Sequence, residues 1–317
     1  MKLLVTGCAG FIGSNFVHYV MEKYPEYDVT NLDALTYAGS LENLEGAMDN
    51  PRHRFVEGRI EDGKLVEELM EGVDVVINFA AESHVDRSIL EPQVFITTNI
   101  LGTQILLDAA LRHKVKLFNQ ISTDEVYGAL QLGSKEQFSE ESLIRPNSPY
   151  SASKASADLL VRAYYRTFDL PVVISRCSNN YGPRQHPEKF MPTAILSALH
   201  DKPIPIYGDG LYVRDWIHVL DHCRAIDAVV HRGKPGEVYN VGADQEWANI
   251  DLARKILQIM GKPEDLLQSV PDRPGHDRRY AITAAKIETE LGWRPEVPFD
   301  EGLKETVDYY CSKYGKP

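Results

Sequence analysis

The pentapeptide YSASK at residues 150–154 contains a phenol and an amine that can act together in proton transfer. Tyr150 and Lys154 are four positions apart, so on a helix the ammonium would lie beside the phenol. A phenol has a pKa of about 10 and acts as a base at neutral pH only when nearby positive charge lowers that pKa. We expect Lys154 to supply part of this charge and Tyr150 to accept a proton from a substrate hydroxyl. The same spacing also occurs on solvated helices, so the pentapeptide alone is weak support.

A second motif places two carboxylic acids after an apolar run. The run KLFNQIST ends in Thr123, and Asp124 and Glu125 follow it directly. The carboxyl ends of parallel strands are where ligands bind in open α/β sheets. If their surroundings hold the two acids in different protonation states, Asp124 can donate a proton to a departing hydroxyl while Glu125 removes a carbon-bound proton. The alternative is a pair of solvated acids in a loop, and the motif does not decide between the two.

Six short apolar runs, separated by helix-length segments, must position these residues. The runs read KLLVTG, DVTNLDAL, RFVEG, VDVVINFAA, KLFNQIST and LPVVISRCS. This alternation predicts an α/β fold of the Rossmann type, with a doubly wound parallel sheet over residues 1–178. Residues 179–317 are irregular and rich in proline turns, and we interpret them as a smaller, mostly C-terminal α/β substrate-binding domain. We expect parts of residues 207–240 to pack on the first domain and the cleft between the two to be the ligand site.

The first apolar run leads directly into GCAGFIG, with glycines spaced three apart. Between a strand and a helix, Gly7 permits a tight turn, Gly10 lets the backbone approach a pyrophosphate, and Gly13 lets the helix pack on the strand. Asp33 closes the second run, where a carboxylate can bond adenosine ribose hydroxyls and repel a 2′-phosphate. We therefore predict NAD rather than NADP. Its oxidised nicotinamide would add to the positive charge beside Tyr150.

The composition indicates a globular protein without a nucleic-acid surface. The 317 residues are 43% hydrophobic and 25% charged, and 34 Lys and Arg against 46 Asp and Glu give a formal net charge of −12. This balance lacks the broad basic footprint that a duplex requires. The four cysteines have no metal-ligand spacing, so we expect no metal site and free thiols in a reducing compartment. We expect neither a secretory leader nor a membrane partner, and a cytoplasmic location.

Over essentially its whole length the sequence resembles the dTDP-glucose 4,6-dehydratases, a branch of the extended short-chain dehydrogenase/reductase family. The matching strings include GCAGFIGSNF, LDALTYAGSLENL, NFAAESHVDRSI, TNILGT, ISTDEVYG, PNSPYSASKASAD, RCSNNYGPRQHPEKFMP, PIYGDGLYVRDWIHVLDH, GEVYNVG and DRPGHDRRYAI. The resemblance implies a lyase of deoxysugar biosynthesis with tightly bound NAD+ that is regenerated in each turnover. In that reaction C4 of dTDP-glucose is oxidised, water leaves across C5 and C6, and hydride returns to C6, which yields dTDP-4-keto-6-deoxyglucose.

The resemblance also implies roles for the two motifs. Tyr150 is the base for the C4 hydroxyl with help from Lys154, and Thr123 bonds the same oxygen. Asp124 protonates the leaving C6 hydroxyl, and Glu125 removes the C5 proton. The expected cofactor contacts are Gly7, Gly10, Phe11, Ile12, Gly13, Asp33, Ala34, Leu35, Thr36, Ile60, Ala80, Ala81, Glu82, Thr98, Tyr150, Lys154 and Asn180. The expected substrate contacts are Ser83, His84, Thr123, Asn179, Lys189, Phe190, Pro205, Ile206, Tyr207, Arg214, Asn249, Arg273, His276 and Tyr280.

Two positions depart from the family pattern. Cys8 stands where the family commonly has glycine, which a turn with negative φ would tolerate. Arg59 stands where many relatives have an aspartate that accepts a hydrogen bond from the adenine amino group. An arginine has no acceptor, although it can stack on the adenine ring. We therefore expect Ile60 to form a wall of the adenine pocket and leave the contact to the amino group open.

Other functions remain open at this point. A nucleotide-sugar 4-epimerase needs the glycine loop and the Tyr/Lys pair but not Asp124 and Glu125. A 4,6-dehydratase acting on UDP- or CDP-glucose would share the hexose chemistry. A non-catalytic NAD-binding module would not need the acid-base residues that are present here.

The resemblance further implies a homodimer that pairs two helices across a two-fold axis into a four-helix bundle. The expected helices lie around residues 93–113 and 151–168, and Leu106, Leu107, Tyr164 and Tyr165 look like exposed apolar positions on them. An apolar stripe of this kind also forms when a helix packs inside its own chain.

Overall fold

A seven-stranded parallel sheet forms the centre of the computed structural model, which describes residues 1–315. The strands of the chain are β1 (Lys2–Thr6), β2 (Asp28–Asp33), β3 (His53–Glu57), β4 (Val75–Asn78), β5 (Leu117–Thr123), β6 (Val172–Cys177), β7 (Asn179–Tyr181), β8 (Ile204–Tyr207), β9 (Val213–His218), β10 (Val238–Val241), β11 (Glu246–Ala248) and β12 (Leu267–Val270). The order in the large sheet is β10-β6-β5-β4-β1-β2-β3. The predicted Rossmann-type sheet is confirmed, and all six predicted strands lie in it. The chain turns back between β1 and β4, so a ligand crevice opens at their carboxyl ends.

Helices cover both faces of this sheet, as a parallel sheet requires. Within residues 1–315 the α-helices are α1 (Phe11–Lys23), α2 (Gly63–Leu69), α3 (Val85–Leu90), α4 (Pro92–Phe95), α5 (Thr103–Arg112), α6 (Pro149–Phe168), α7 (Phe190–Leu199), α8 (Val219–Arg232), α9 (Asn249–Met260), α10 (Ala285–Leu291) and α11 (Phe299–Tyr314). A π-helical segment, Ile96–Gly102, joins α4 to α5. Helices α1 and α8 contribute to the hydrophobic cluster on one face of the sheet, whereas α2, α5 and α6 contribute to the cluster on the other.

The second cluster shows that part of the expected dimer surface lies inside the chain. Leu106 and Leu107 are fully buried against the sheet, and Tyr164 is only 9% exposed. The interpretation of these three residues as exposed is therefore wrong, and the reason is that α5 and α6 turn their apolar stripes toward β4, β5 and β6. Tyr165 is partly buried and packs against the same cluster.

The C-terminal part forms smaller sheets around a hydrophobic cluster of its own. Strands β7, β9 and β11 form one sheet, and β8 pairs with β12. Helices α7, α9 and α11 pack together in this cluster. The division into residues 1–178 and 179–317 stays a proposal, and the later segment does not remain separate: α8 packs on α1, and β10 completes the large sheet beside β6.

One helical stretch, Pro92–Arg112, is long and apolar enough to cross a membrane by length and composition alone. It contains α4, the π-helical segment and α5. Of its most apolar window, 44% is buried inside the chain. The same stretch packs on α2 and α6, as the helix of a folded core does.

Candidate active site

The turn between β1 and α1 carries the three predicted glycines, and each meets a different steric demand. Gly7 has φ +70°, and a Cβ there would lie 2.6 Å from the Ala80 nitrogen. A Cβ on Gly13 would lie 2.3 Å from the Gly7 carbonyl oxygen, so the helix packs closely on the turn. Gly10 is different, because its backbone is extended and an added Cβ would meet only that oxygen, at 3.3 Å. Packing within the chain therefore does not by itself require glycine at position 10. A glycine there is instead explained if the backbone must approach a ligand closely.

Asp33 ends β2 beside this turn and holds it in shape. Its Oδ2 accepts a hydrogen bond from the Ala9 amide, and its Oδ1 accepts one from the Leu35 amide, both at 2.8 Å. Burial raises the pKa of this carboxyl, while the two amide bonds oppose the shift. A carboxylate has about four acceptor positions, so Asp33 can still accept from ribose hydroxyls. The open glycine turn, the free amides of the first turn of α1 and this carboxylate together fit a dinucleotide.

A cavity of about 300 Å³ runs along the carboxyl ends of the strands past this turn. Of the predicted cofactor contacts, those that line it are Gly7, Gly10, Phe11, Ile12, Gly13, Asp33, Ala34, Thr36, Ile60, Ala80, Ala81, Glu82, Thr98, Tyr150, Lys154 and Asn180. Leu35 does not line it. Its φ of +46° turns the side chain away, and the side chain packs against the core cluster that contains α1.

Helix α6 carries Tyr150 and Lys154 to the other end of the cavity. The helix begins where Ser148 and Ser151 form a reciprocal capping box around Pro149, so Tyr150 lies in its first turn. One turn later, the Lys154 ammonium donates to the Ile121 carbonyl oxygen at 2.6 Å. This bond ties α6 to β5, the strand that carries Thr123 and the two acids. The predicted acid-base residues are thus brought together by strand β5 and the helix α6 that packs on it.

Thr123, Asp124 and Glu125 occupy the end of β5 and the 3-10 turn that follows, Asp124–Tyr127. The Thr123 hydroxyl lies 3.2 Å from Asp124 Oδ1 and accepts from the Glu125 amide at 3.2 Å. Asp124 is only 1% exposed, and its Oδ2 has no hydrogen-bond partner among the described residues. All three residues line the cavity together with Tyr150 and Lys154. A pair of solvated acids in a loop is therefore excluded for Asp124.

The surroundings of the two acids differ in charge. Burial raises the pKa of Asp124 well above its usual range, and the negative charges of Glu125 and Asp215 raise it further. Burial also raises the pKa of Glu125, but the positive charges of Arg214, Arg273 and Lys189 oppose this shift. The pKa values of both acids are raised, but neighbouring carboxylates add to the shift at Asp124, whereas three cations oppose it at Glu125, so Asp124 is the acid that holds its proton more readily.

The protein's own groups do not prepare Tyr150 to lose its proton. Burial raises the pKa of Tyr150 well above its usual range, and the nearby carboxylate of Glu125 raises it further, while a hydrogen bond with Thr123 opposes the shift. Burial lowers the pKa of Lys154. We expected Lys154 to lower the pKa of Tyr150, but Lys154 is not among the groups that chiefly shift this pKa. Positive charge from a bound ligand is needed to reverse this balance.

Several predicted substrate contacts lie across the cleft and face Glu125. Lys189 lines the cavity with Ser83 and Asn179, and its ammonium donates to the Ser83 carbonyl oxygen at 2.9 Å. The Arg214 guanidinium lies 4.2 Å from the centre of the Tyr280 ring. The predicted substrate contacts outside the cavity wall are His84, Phe190, Pro205, Ile206, Tyr207, Arg214, Asn249, Arg273, His276 and Tyr280. Of these, Ile206 is buried in the C-terminal hydrophobic cluster and Phe190 packs against it.

The structure adds cavity residues beyond the expected contacts, and it places on the wall Arg59, whose contact with the adenine the sequence left open. Further side chains and backbone on the wall belong to Leu32, Ala38, Gly39, Gly58, Arg59, Glu61, Phe79, Ile121, Ser122, Cys177, Ser178, Gln185 and His186. Ser122, Cys177 and Ser178 follow from strand order, since β5 and β6 are neighbours and end at the same edge. Gln185 and His186 come from the turn after β7, whose path no local pattern indicates.

The chain is similar to known proteins over nearly its whole length. A family model described as GDP-mannose 4,6 dehydratase matches residues 4–306. The low-salt glycan biosynthesis protein Agl12 of Haloferax volcanii is 54% identical, with 98% of each chain covered. The dTDP-glucose 4,6-dehydratase of Streptomyces antibioticus is 52% identical over 98% of this chain and 92% of its own. Among solved structures, DesIV, a dTDP-glucose 4,6-dehydratase from Streptomyces venezuelae with NAD and dTDP bound, superposes with a TM-score of 0.97 at 47% identity, covering 99% of this chain and 98% of its own.

Proposed function

The chain belongs to the GDP-mannose 4,6-dehydratase family, and from that premise we propose that it is a dTDP-glucose 4,6-dehydratase. NAD+, when bound, supplies the hydride acceptor for C4 of the glucose and returns the hydride to C6. The glycine turn and Asp33 hold the cofactor, and the Tyr150 end of the cavity receives the hexose. The product is dTDP-4-keto-6-deoxyglucose.

The residues at the end of β5 divide the proton transfers between them. Tyr150 accepts the proton of the C4 hydroxyl while Thr123 donates a hydrogen bond to the same oxygen. Once C4 is a ketone, the C5 proton is acidic, and Glu125 removes it; when hydride is returned to C6, C5 takes a proton back from the same carboxyl. Asp124 donates its proton to the C6 hydroxyl, which leaves as water. Lys154 donates to the Ile121 carbonyl oxygen and so holds α6, with Tyr150 in its first turn, against β5.

The observation that carries this proposal is a pair of adjacent acids at the end of β5, of which Asp124 has nearby carboxylates and Glu125 has more nearby cations. A 4-epimerase moves hydride and one proton and has no step that uses a protonated Asp124 or an ionised Glu125. Here Asp124 is deeply buried, and cations from three segments face Glu125. Two carboxyl groups that prefer different protonation states are what elimination of water across C5 and C6 needs.

The cations opposite Glu125 also suit the nucleotide diphosphate. Arg214 and Arg273 present planar guanidinium groups that match phosphate oxygens, and Lys189 adds a point charge. The Arg273 Nε is buried without a partner among the described residues, so it is free to donate to a ligand. Tyr207 stands edge-on to His276, with ring centres 6.0 Å apart, and offers an aromatic surface for the base.

The test is mass spectrometry of purified protein incubated separately with dTDP-, UDP-, CDP- and GDP-glucose. Loss of one water with dTDP-glucose alone supports both the reaction and the nucleotide. Loss with UDP- or CDP-glucose instead would keep the reaction and replace the substrate. Intact mass with all four sugars, even after NAD+ is supplied, would reject the dehydratase and favour an epimerase.

The proposal extends to a homodimer formed through α6 and the helical stretch before α5. These neighbouring elements leave large apolar side chains exposed: Ile96 is 54% exposed, Leu101 47%, Leu159 55% and Phe168 50%. Helix α6 packs against the π-helical segment, so their exposed positions belong to one surface. A second copy that covers this surface would complete a four-helix bundle. A cytoplasmic location accords with four cysteines that are all free thiols.

A further inference from the structure

The strand order fixes which end of the cavity receives the adenosine. Tyr150 and Thr123 mark the nicotinamide end, at the carboxyl end of β5. The glycine turn after β1 holds the diphosphate in the middle, and Asp33 ends β2 on the far side. The adenine must therefore lie beyond Asp33, where the segment after β3 forms the wall with Arg59, Ile60 and Glu61.

An adenine in this position presents an exocyclic amino group that needs an acceptor. The Arg59 side chain has only donors, its backbone carbonyl already accepts from the Asp62 amide, and the Ile60 side chain is apolar. The acceptor on this segment is Glu61, whose side chain is 15% exposed and lines the cavity. Its Oε1 accepts from the Thr98 hydroxyl at 2.7 Å and lies 4.0 Å from an Arg59 nitrogen. Both contacts use Oε1, which leaves Oε2 available to a donor on a ligand.

The packing of this segment holds the carboxylate in place. A Cβ added to Gly102 would lie 2.6 Å from Ile60 Cδ1 and 3.6 Å from Glu61 Cγ. Glycine at the end of the π-helical segment thus lets residues 60 and 61 approach the helix that carries Thr98. The Glu61 side chain is held by the close packing of its Cγ near Gly102 and by the hydrogen bond from Thr98 to its Oε1. The carboxylate therefore does not need to reorganise when the base binds.

We propose that Glu61 accepts the hydrogen bond from the adenine amino group and selects adenine over a base that has a carbonyl at that position. The inference rests on NAD occupying the cavity and not on the identity of the sugar. It identifies a base-selecting residue that comes two positions after the place where the family resemblance suggested an acceptor. Arg59, whose side chain is 58% exposed, then serves as a charge partner of Glu61 on the outer side of the pocket.

Glu82 is the nearest competitor for this role. It also lines the cavity, but it follows β4, on the nicotinamide side of the glycine turn. Its backbone is held by Asn99, which donates to the Glu82 carbonyl oxygen at 3.0 Å and accepts from its amide at 2.8 Å. By strand position Glu82 is therefore further from the adenine than Glu61.

The experiment compares NAD+ with nicotinamide hypoxanthine dinucleotide, in which a carbonyl replaces the amino group. Holoenzyme is incubated with an equimolar mixture until exchange is complete, and the bound dinucleotides are released and measured by chromatography. We expect wild-type protein to retain NAD+ in about tenfold excess or more, because a hydrogen bond to a charged group is lost and the carbonyl faces a carboxylate. In Glu61→Gln the amide can donate to the carbonyl, so the ratio falls toward one.

Two matched variants make the result specific. Glu57→Gln removes a charge from β3 outside the cavity wall and should keep the wild-type ratio. Glu82→Gln removes the competing carboxylate and tests whether that residue, which also lines the cavity, selects the base. A wild-type ratio near one, an unchanged ratio in Glu61→Gln, or a collapse in Glu82→Gln alone would overturn the assignment. The readout is bound cofactor, so a failure of the dehydratase assay would not affect it.

Discussion

The ammonium of Lys154 and the carbonyl oxygen of Ile121 lie 2.6 Å apart and join the catalytic helix to the strand of the two acids. Lys154→Met should break this bond and remove the buried charge. We expect the oxidation step to slow by about 100-fold or more, because general acid-base groups contribute on that order. The rate of NADH absorbance appearing in a single turnover measures this step. Lys154→Arg keeps the charge, so its oxidation rate should fall less. Equal oxidation rates for the wild type and Lys154→Met would contradict a role of Lys154 in this step.

The division of proton transfers predicts different blocked steps for two variants. Glu125→Gln should still oxidise C4 and accumulate NADH, while the mass of the sugar stays unchanged, because the C5 proton is not removed. Tyr150→Phe should fail before any NADH appears. Absorbance followed by mass spectrometry on the same sample separates the two. If both variants stop at the same step, the assignment of roles is wrong.

Gly10→Ala should reduce the NAD content of the protein without unfolding it. The added Cβ meets only the Gly7 carbonyl oxygen at 3.3 Å within the chain, but it occupies space where the diphosphate approaches. We expect at least a tenfold loss of NAD affinity, on the order of 1.4 kcal/mol. Chromatography of the released cofactor measures occupancy. Gly63→Ala, at the start of α2, is the control and should retain full occupancy, because the new methyl would meet only Ile105 Cγ2, at an ordinary contact distance of 3.8 Å.

The low pKa of buried His222 predicts that the folded protein becomes less stable in acid. Its Nδ1 lies 2.8 Å from Asn180 Oδ1, and burial lowers its pKa from 6.5 to about 3. The unfolded chain takes up a proton below pH 6.5, whereas the folded chain does not. Stability is therefore lost as the pH falls from 6.5 to about 3. Denaturant unfolding at several pH values should show a flatter dependence for His222→Gln, which keeps a donor for Asn180 but cannot titrate. If the free energy of unfolding depends on pH equally in the wild type and in His222→Gln, His222 does not contribute to the loss of stability.

Leu159→Asp should convert the proposed homodimer into a monomer. The residue is 55% exposed in the middle of α6, and a charge there would be buried without a partner when two copies associate. Size-exclusion chromatography with light scattering gives the mass. Leu143→Asp, at a leucine that is 66% exposed in a loop, is the matched control and should leave the mass unchanged. A wild-type protein that already runs as a monomer would contradict the dimer.

Much of this site could be predicted because its signals are local. The turn at Gly7, Gly10 and Gly13 and the apolar strands around it are encoded within a few residues each. The approach of Arg214 and Arg273 to Glu125 is not local, since it depends on how the C-terminal part lies over the sheet. Residue patterns alone therefore did not identify these two arginines as substrate contacts.

Two features could not be predicted from the sequence, because each depends on tertiary contacts. Leu106 and Leu107 form a stripe at helical spacing, and such a stripe shows that a face is covered but not by which surface. The acceptor at Glu61 was missed because its role depends on the close approach of the segment after β3 to Gly102. That approach is a tertiary contact between residues distant in sequence.

The late position of β10 has a consequence for how the protein is made. This strand pairs with β6, yet about sixty residues separate the two in the chain. During synthesis, the edge of β6 stays unpaired until residue 241 has emerged, and an uncovered strand edge is a site for association with other chains. A nascent chain stopped before β10 should therefore aggregate or recruit chaperones, although the glycine turn and all five catalytic residues have already been synthesised.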